Sequence, residues 1–314
     1  MQMRKIIILY ILFLTVFISC ATLKNVEQNL GYTVYSDIVY GSDNRHIMDI
    51  SIPDNNEESL NVILYIHGGH LMSKDKSNYI NFMDKYRKSN IVASMNYRYV
   101  DDSTIVADLV NDVGNAIAGI KKIADEKGSR INKLILIGHS AGAHLLLLYA
   151  YQYYAESSIP IAFCLEMSGP TDLSDVAYIY NMTKQNNIKY WLDIANKYVK
   201  QTISLAEVTE NGFSENAVEG LKTISAINFI NKDVPPTIIV HDVADITVPY
   251  SNAASLHAVL SVFGVKNDFI ASYKGLGHNL GYYTSKGNSW GLDGALEKRI
   301  LVKFDEYMEL YSGR

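Results

Sequence analysis

Leu134-Ile135-Leu136-Ile137-Gly138-His139-Ser140-Ala141-Gly142-Ala143-His144-Leu145-Leu146-Leu147-Leu148 is the stretch from which the fold is read. Its first four residues make the most apolar short strand pattern in the chain, of the kind covered on both faces of a sheet. They run straight into Gly-x-Ser-x-Gly, and an apolar helical pattern follows from Ala143 to Tyr154. A strand that turns this sharply into a helix needs glycine at 138 and 142, because a missing Cβ lets the backbone fold tightly and the helix approach the strand. Ser140, next to His139, is thereby set at a sheet edge and a helix N-terminus, where the dipole favours negative charge.

Outward from this turn, apolar β-type runs alternate with helical patterns, which is the signature of a mostly parallel sheet flanked by helices. Tyr32 to Val39 and Ile47 to Ile52 alternate and are expected to pair as an antiparallel entry hairpin. Val62 to Ile66, Ile91 to Met95, Ile161 to Met167, Thr237 to Val240 and Phe269 to Tyr273 read as further strands. Val106, Leu109, Val110, Val113, Ile117, Ile120 and Ile123 recur at helical spacing, so Thr104 to Lys127 is a long amphipathic helix closed by Gly128. Asp75 to Ser89 reads as a polar helix, Ser251 to Phe263 as a helix, and Leu292 to Tyr311 as a final amphipathic one. The polar stretch 172–233 carries weak helical patterns and no core-type strand, which marks a cap inserted between two sheet strands.

A serine hydroxyl attacks poorly until a base takes its proton, so a histidine and a carboxylate are sought after Ser140, in the order serine, acid, histidine. Of eight histidines only His241, His257 and His278 lie downstream beyond the elbow helix, which itself carries His144. His257 falls within a helix and His241 ends a strand ahead of the acids. His278 sits in the glycine-flanked loop Gly275-Leu276-Gly277-His278 after the last strand and is the candidate base. Asp245 follows a strand end and is the candidate acid; Asp242 is its rival, closer to the strand terminus. An oxyanion needs fixed N–H donors. These are expected from Ala141 and from His67-Gly68-Gly69-His70, with Gly69 and His70 as donors and His67 and Gly68 shaping the loop. No third ligand at suggestive spacing joins His67 and His70, so no metal is expected there, and no cofactor is implied.

The chain has 314 residues, 48% hydrophobic and 19% charged, enough for one large α/β domain. A net charge of −5 with no basic cluster points away from nucleic acid. At the N-terminus Arg4 and Lys5 precede an apolar run from Ile6 to Ile18 that closes on Ser19-Cys20, which reads as an export signal of 1–20, with an uncleaved N-terminal anchor as the competing reading. The end resembles a bacterial lipobox with Cys20 as lipid acceptor, although Phe17 stands where Leu is usual. The expectation is an exported lipoprotein held to a membrane through a tether of 21–31, followed by one domain over 32–314. Cleavage leaves 26 basic residues against 33 acidic. With Cys20 lipidated, Cys164 stands alone and no disulfide forms; its apolar surroundings mark a buried small hydrophobe.

From about Tyr32 onward the chain resembles the α/β-hydrolase esterases and lipases, in particular hormone-sensitive-lipase-like and bacterial feruloyl and acetyl-xylan esterases. The residues that carry this are Tyr65-Ile66-His67-Gly68-Gly69, Asn96-Tyr97-Arg98, Gly138-His139-Ser140-Ala141-Gly142-Ala143-His144, Ser168-Gly169-Pro170-Thr171-Asp172-Leu173, Pro235-Pro236-Thr237 and Gly277-His278. Three departures stand out: His70-Leu71 replaces a third loop glycine or its tryptophan version, His241-Asp242 replaces His-Gly, and Ser225-Ala226 replaces Ser-Pro. The resemblance implies an α/β-hydrolase fold and a carboxylesterase acting on small or sugar-linked esters. An amide-cleaving relative and a binding protein on an inactive scaffold are the alternatives.

Overall fold

The computed structural model describes residues 24–25, 31–54, 59–184, 188–199, 203–209, 212–281, 283–284 and 290–313. The expected export signal with Cys20, and most of the tether, lie outside them. Among the described residues nine strands form one sheet: β1 (Lys24–Asn25), β2 (Tyr32–Val39), β3 (Ile47–Pro53), β4 (Leu60–Ile66), β5 (Ile91–Met95), β6 (Ile131–His139), β7 (Ile161–Met167), β8 (Thr237–Asp242) and β9 (Asn267–Ser272). Their order is β1-β2-β3-β5-β4-β6-β7-β8-β9. The pairings from β1 through β3 to β5 are antiparallel, and all those from β5 to β9 are parallel.

The continuous apolar runs of β4 and β6 follow from burial on both faces. Val62, Leu64 and Ile66, with Leu134 and Leu136, enter one core. Ile63, Tyr65, Ile135 and Ile137 enter the other. Side chains alternate across a strand, so a run with two buried faces shows no polar beat. Helix α1 (Val106–Glu126) buries the seven residues of its apolar stripe in the first core. It ends in a Schellman arrangement: Gly128 adopts φ +74, its N–H reaches Asp125 O, and Ser129 N–H reaches Ala124 O. Helix α2 (Ala141–Tyr153) is buried at every residue from Ala141 to Tyr151, so it is apolar all round.

Between β7 and β8 lie α3 (Ala177–Lys184), α4 (Ile188–Val199) and α5 (Glu215–Lys222), with a two-residue ladder of Val208–Thr209 against Gly212–Phe213. Ser214 caps α5 by accepting from Ala217 N–H. Thr171 N–H and Asp172 N–H both donate to Asn252 Oδ1, and Leu173 N–H donates to Ser225 Oγ, so both ends of the insertion are tied to its base. Helices α6 (Tyr250–Val262) and α7 (Gly294–Tyr311) complete the layers; Asp293 caps α7 through Leu296 N–H.

One expected helix is corrected. Within Asp75 to Ser89 only a 3₁₀ turn, Asn81–Tyr86, forms. The first residues are drawn elsewhere: Asp75 accepts from Ser77 N–H, Lys76 N–H donates to Asn96 Oδ1, and Lys76 O accepts from Ser94 Oγ. Side-chain and sheet-edge partners thus take the backbone groups that a helix would have paired. Lys24–Asn25 also departs from a plain tether, pairing with Tyr35 and Ser36 at the sheet edge.

The elbow glycines are the tightest points of the fold. A Cβ on Gly138 would lie 2.6 Å from Gly142 C, and one on Gly142 would lie 2.0 Å from Ile66 O on β4. Gly142→Ala is therefore expected to lower stability by about 3 kcal/mol or more, since backbone must move to admit the methyl. Gly294→Ala, whose Cβ meets nothing within 4 Å, is expected to be neutral or slightly stabilising. Urea midpoints of the two variants check this contrast.

Candidate active site

Ser140 sits between β6 and α2 with φ 55° and ψ −124°. A non-glycine residue is strained there by about 1–3 kcal/mol and must be held by its surroundings. Ser140 N–H donates to Met167 O at 2.8 Å, and His144 N–H reaches back to Ser140 O at 3.1 Å. Ser140 is buried, with 8% of its surface exposed.

His278 Nε2 lies 2.9 Å from Ser140 Oγ, and His278 Nδ1 lies 2.8 Å from Asp245 Oδ2. A carboxylate only accepts, so Nδ1 carries the proton and the Nε2 lone pair is left for the serine hydroxyl. Asp245 Oδ1 accepts from Thr247 N–H at 2.8 Å and Val248 N–H at 2.9 Å, which fixes its rotamer. Burial alone would raise the Asp245 pKa, but hydrogen bonds from His241 and His278 hold it well below the usual carboxylate range. The rival Asp242 has another task. Its Oδ1 accepts from Ala244 N–H and from Gly277 N–H, so it ties the loop that carries His278 to the end of β8.

His139 and His278 support each other across chain-distant loops. His139 Nε2 donates to His278 O at 2.9 Å, and the rings lie 5.1 Å apart. Burial lowers the His139 pKa to about 3, so it stays neutral. His144 Nε2 reaches Ile224 O at 2.6 Å, linking α2 to the insertion.

His67 to His70 leaves β4 beside the serine. A Cβ on Gly68 would stand 2.9 Å from His139 O and 3.2 Å from Ser140 Cβ, so the loop passes against the elbow. Gly69 has φ +117, and His70 and Leu71 follow at +54 and +59. The N–H groups of Gly69 and His70 meet no acceptor among the described residues. Ala141 N–H is the first of its helix and has no partner within it. Thus the donors expected from sequence are available around Ser140. His67 braces the loop from below: its Nδ1 donates to Gly68 O, its ring stacks on Tyr97 at 4.3 Å, and burial lowers its pKa to about 4. Tyr97 hydroxyl donates to His67 O, and Arg98 is clamped to the buried Asp112 at 2.7 Å. From the insertion, Tyr198 hydroxyl on α4 donates to His70 O at 2.7 Å.

Two residues beneath the site were given no role by the sequence reading, His241 having been set aside as a base. His241 Nε2 approaches Asp245 Oδ2 at 3.3 Å and Val248 O at 3.0 Å. Burial opposes its charged form, yet Asp245 and Glu166 raise its pKa. Glu166 on β7 is fully buried beside the elbow; its Oε2 accepts from Gly169 N–H at 2.9 Å. A lone carboxylate in the otherwise apolar run Ile161 to Met167 was the available signal. Cys164, in the same run, is buried, and its thiol is pushed well up by burial.

Burial pushes Glu166 from 4.5 up to about 7. The folded chain therefore holds this proton in a window where the unfolded chain has lost it, and stability falls as pH rises through that window. Glu166→Gln keeps the shape and the acceptor for Gly169 N–H. It is expected to be close to wild type at pH 5 and more stable by about 1–3 kcal/mol at pH 8. Urea unfolding at both pH values measures the difference.

Comparison with known proteins places this geometry. The chain is 23% identical over 251 residues to an isoprenylcysteine alpha-carbonyl methylesterase of Arabidopsis thaliana, across 78% of this chain and 56% of that protein. It is 27% identical over 163 residues to a kynurenine formamidase of Danio rerio, across 50% of this chain and 51% of that one. The chain thus spans about half the length of these curated relatives. Among solved structures, a truncated carbohydrate esterase from gut microbiota superposes with a TM-score of 0.64 at 20% identity, covering 90% of this chain and 99% of that chain. The shared fold is the α/β-hydrolase fold, with a mostly parallel sheet between helices. The BD-FAE family model matches residues 48–260, more than half of the chain, and the protein belongs to the BD-FAE family.

Proposed function

We propose that this chain is a serine carboxylesterase, and the observation that carries the reading is the hydrogen-bonded line Ser140–His278–Asp245 at a strained elbow. Ser140 Oγ attacks an ester carbonyl as His278 Nε2 takes its proton. Asp245 holds the imidazole in the tautomer that can do so and stabilises the imidazolium. The tetrahedral oxyanion is received by the N–H groups of Ala141, Gly69 and His70. Collapse expels the alcohol, which takes the proton from His278. Water, activated by the same histidine, then releases the acid and returns Ser140. The segments 172–233 act as the cap, with Tyr198 joining α4 to the oxyanion loop.

Small and sugar-linked esters are the proposed substrates; the carbohydrate esterase of similar fold supports the second class. Purified protein that leaves acetylated sugars intact while hydrolysing simple esters would remove it. The formamidase relative favours a second reading, amide cleavage on the same residues. Matched p-nitrophenyl acetate and p-nitroacetanilide separate the two: the ester should be turned over, and preference for the anilide would reverse the reading. Export and membrane tethering through Cys20 are likewise proposed from the leader sequence; loss of membrane fractionation in Cys20→Ser tests them.

In p-nitrophenyl acetate hydrolysis, Ser140→Ala is expected to lower kcat by about 10³-fold or more with the fold retained. Equal activity of wild type and variant would show that Ser140 is not the nucleophile.

A further inference from the structure

His241 is the last residue but one of β8, and Asp245 stands four positions beyond it. The turn between them folds the chain back: Asp245 N–H donates to Asp242 O at 3.1 Å, and Ala244 N–H donates to Asp242 Oδ1 at 2.9 Å. Imidazole and carboxylate are thereby brought together, His241 Nε2 lying 3.3 Å from Asp245 Oδ2 with both side chains wholly buried. The same Nε2 lies 3.0 Å from Val248 O. A carbonyl oxygen only accepts, so Nε2 carries a hydrogen, and both Val248 O and Asp245 Oδ2 are acceptors for it. Val248 N–H in turn donates to Asp245 Oδ1 at 2.9 Å. Val248 therefore gives a donor to the acid and takes one from His241, which pins the segment from Asp245 to Val248 to the end of the strand.

Asp245 Oδ2 is also the oxygen that His278 Nδ1 meets, at 2.8 Å. Two imidazoles thus share one carboxylate oxygen, and they are held very differently. His278 lies on a loop whose Gly275 and Gly277 take φ +71 and +65. His241 lies within β8, which is bonded to β7 on one edge and to β9 on the other. Its ring packs T-shaped against Tyr250 of α6 at 6.1 Å, and its Nδ1 has no hydrogen-bond partner among the described residues. The ring is therefore committed through Nε2. Thr247 N–H and Val248 N–H fix Oδ1 of the acid, and the donor from His241 fixes the plane of the carboxylate by holding Oδ2. Orientation passes from the rigid strand to the reacting atoms: His241 to Asp245, Asp245 to His278, His278 Nε2 to Ser140 Oγ.

Resting on the esterase reading above, we propose that His241 is a positioning residue of the reaction, acting through Asp245. It touches no substrate. It holds the carboxylate in the plane that keeps His278 aimed at Ser140 while the proton moves.

The test is p-nitrophenyl acetate hydrolysis by the full chain, read as kcat and KM separately and joined to a double-mutant cycle with Asp245→Asn. His241→Leu removes the donor and is expected to lower kcat about 30-fold with KM changed by less than about twofold, because the loss is one of alignment. His241→Gln, whose amide offers an N–H at a similar reach, should recover most of that loss. In the Asp245→Asn background the carboxylate is gone, so adding His241→Leu should cost less than about threefold more. A packing role would leave the leucine penalty undiminished in that background, and this result overturns the proposal, as does wild-type kcat in His241→Leu. Should the leucine variant not fold, His241→Asn, with an amide too short to reach Oδ2, is read in the same cycle. Wild-type protein that turns over no ester overturns the esterase reading itself, and the proposal with it.

Discussion

At the start of α2 the helix rests on the carbonyl end of β4 so closely that a methyl group has no room: a Cβ on Gly142 would stand 2.0 Å from Ile66 O. That contact sets where Ser140 is held, and most of the site is arranged around it. Packing the helix this tightly forces Ser140 into φ 55°, and the strain is borne by the buried apolar helix behind it and by the bond to Met167 O. The same approach brings the loop after β4 against the serine, because Ile66 and His67 are the residues that Gly142 touches. Ser140 and the N–H groups of Gly69 and His70 are thus brought together by one packing constraint between two adjacent parallel strands.

His278 and Asp245 arrive from the far strands, β8 and β9, and their placement comes from polar groups. Asp242 ties Gly277, Asp245 accepts two backbone N–H groups, and His139 fastens the carbonyl of His278. Below them His241 and Glu166 place a titratable pair in the core. Glu166 resists ionisation because burial penalises its charge, while His241 is drawn toward its charged form by Asp245 and Glu166. Such buried groups cost stability at neutral pH, and of the two it is His241 that reaches the Asp245 carboxylate, at 3.3 Å.

The insertion joins this frame at few points, each of them polar. Tyr198 reaches the His70 carbonyl, His144 reaches Ile224 O, and Asn252 gathers the backbone at Thr171 and Asp172. Ser225, where a Ser-Pro pair is common in the resembled esterases, keeps its place by donating to Leu221 O and accepting from Leu173 N–H. The alanine that replaces proline therefore leaves the anchoring serine intact.

Local pattern alone determined the elbow, the two-faced strands around it, the stripe of α1 and its glycine stop. Each of these is written within a few residues by periodicity or by a missing Cβ. That Ser140, Asp245 and His278 would meet in one hydrogen-bonded line was also legible, because their chain order is tied to the order of strands. Tertiary structure decided what depends on partners far along the chain. The polar run from Asp75 to Ser89 forms only a 3₁₀ turn because Asn96 and Ser94 capture its backbone. Glu166 and His241 look like ordinary strand residues until the parallel register puts β7 beside β8 and both beneath Asp245. A sequence records what a residue is and its local beat; which distant groups share a low-dielectric space is decided only when the strands are laid side by side.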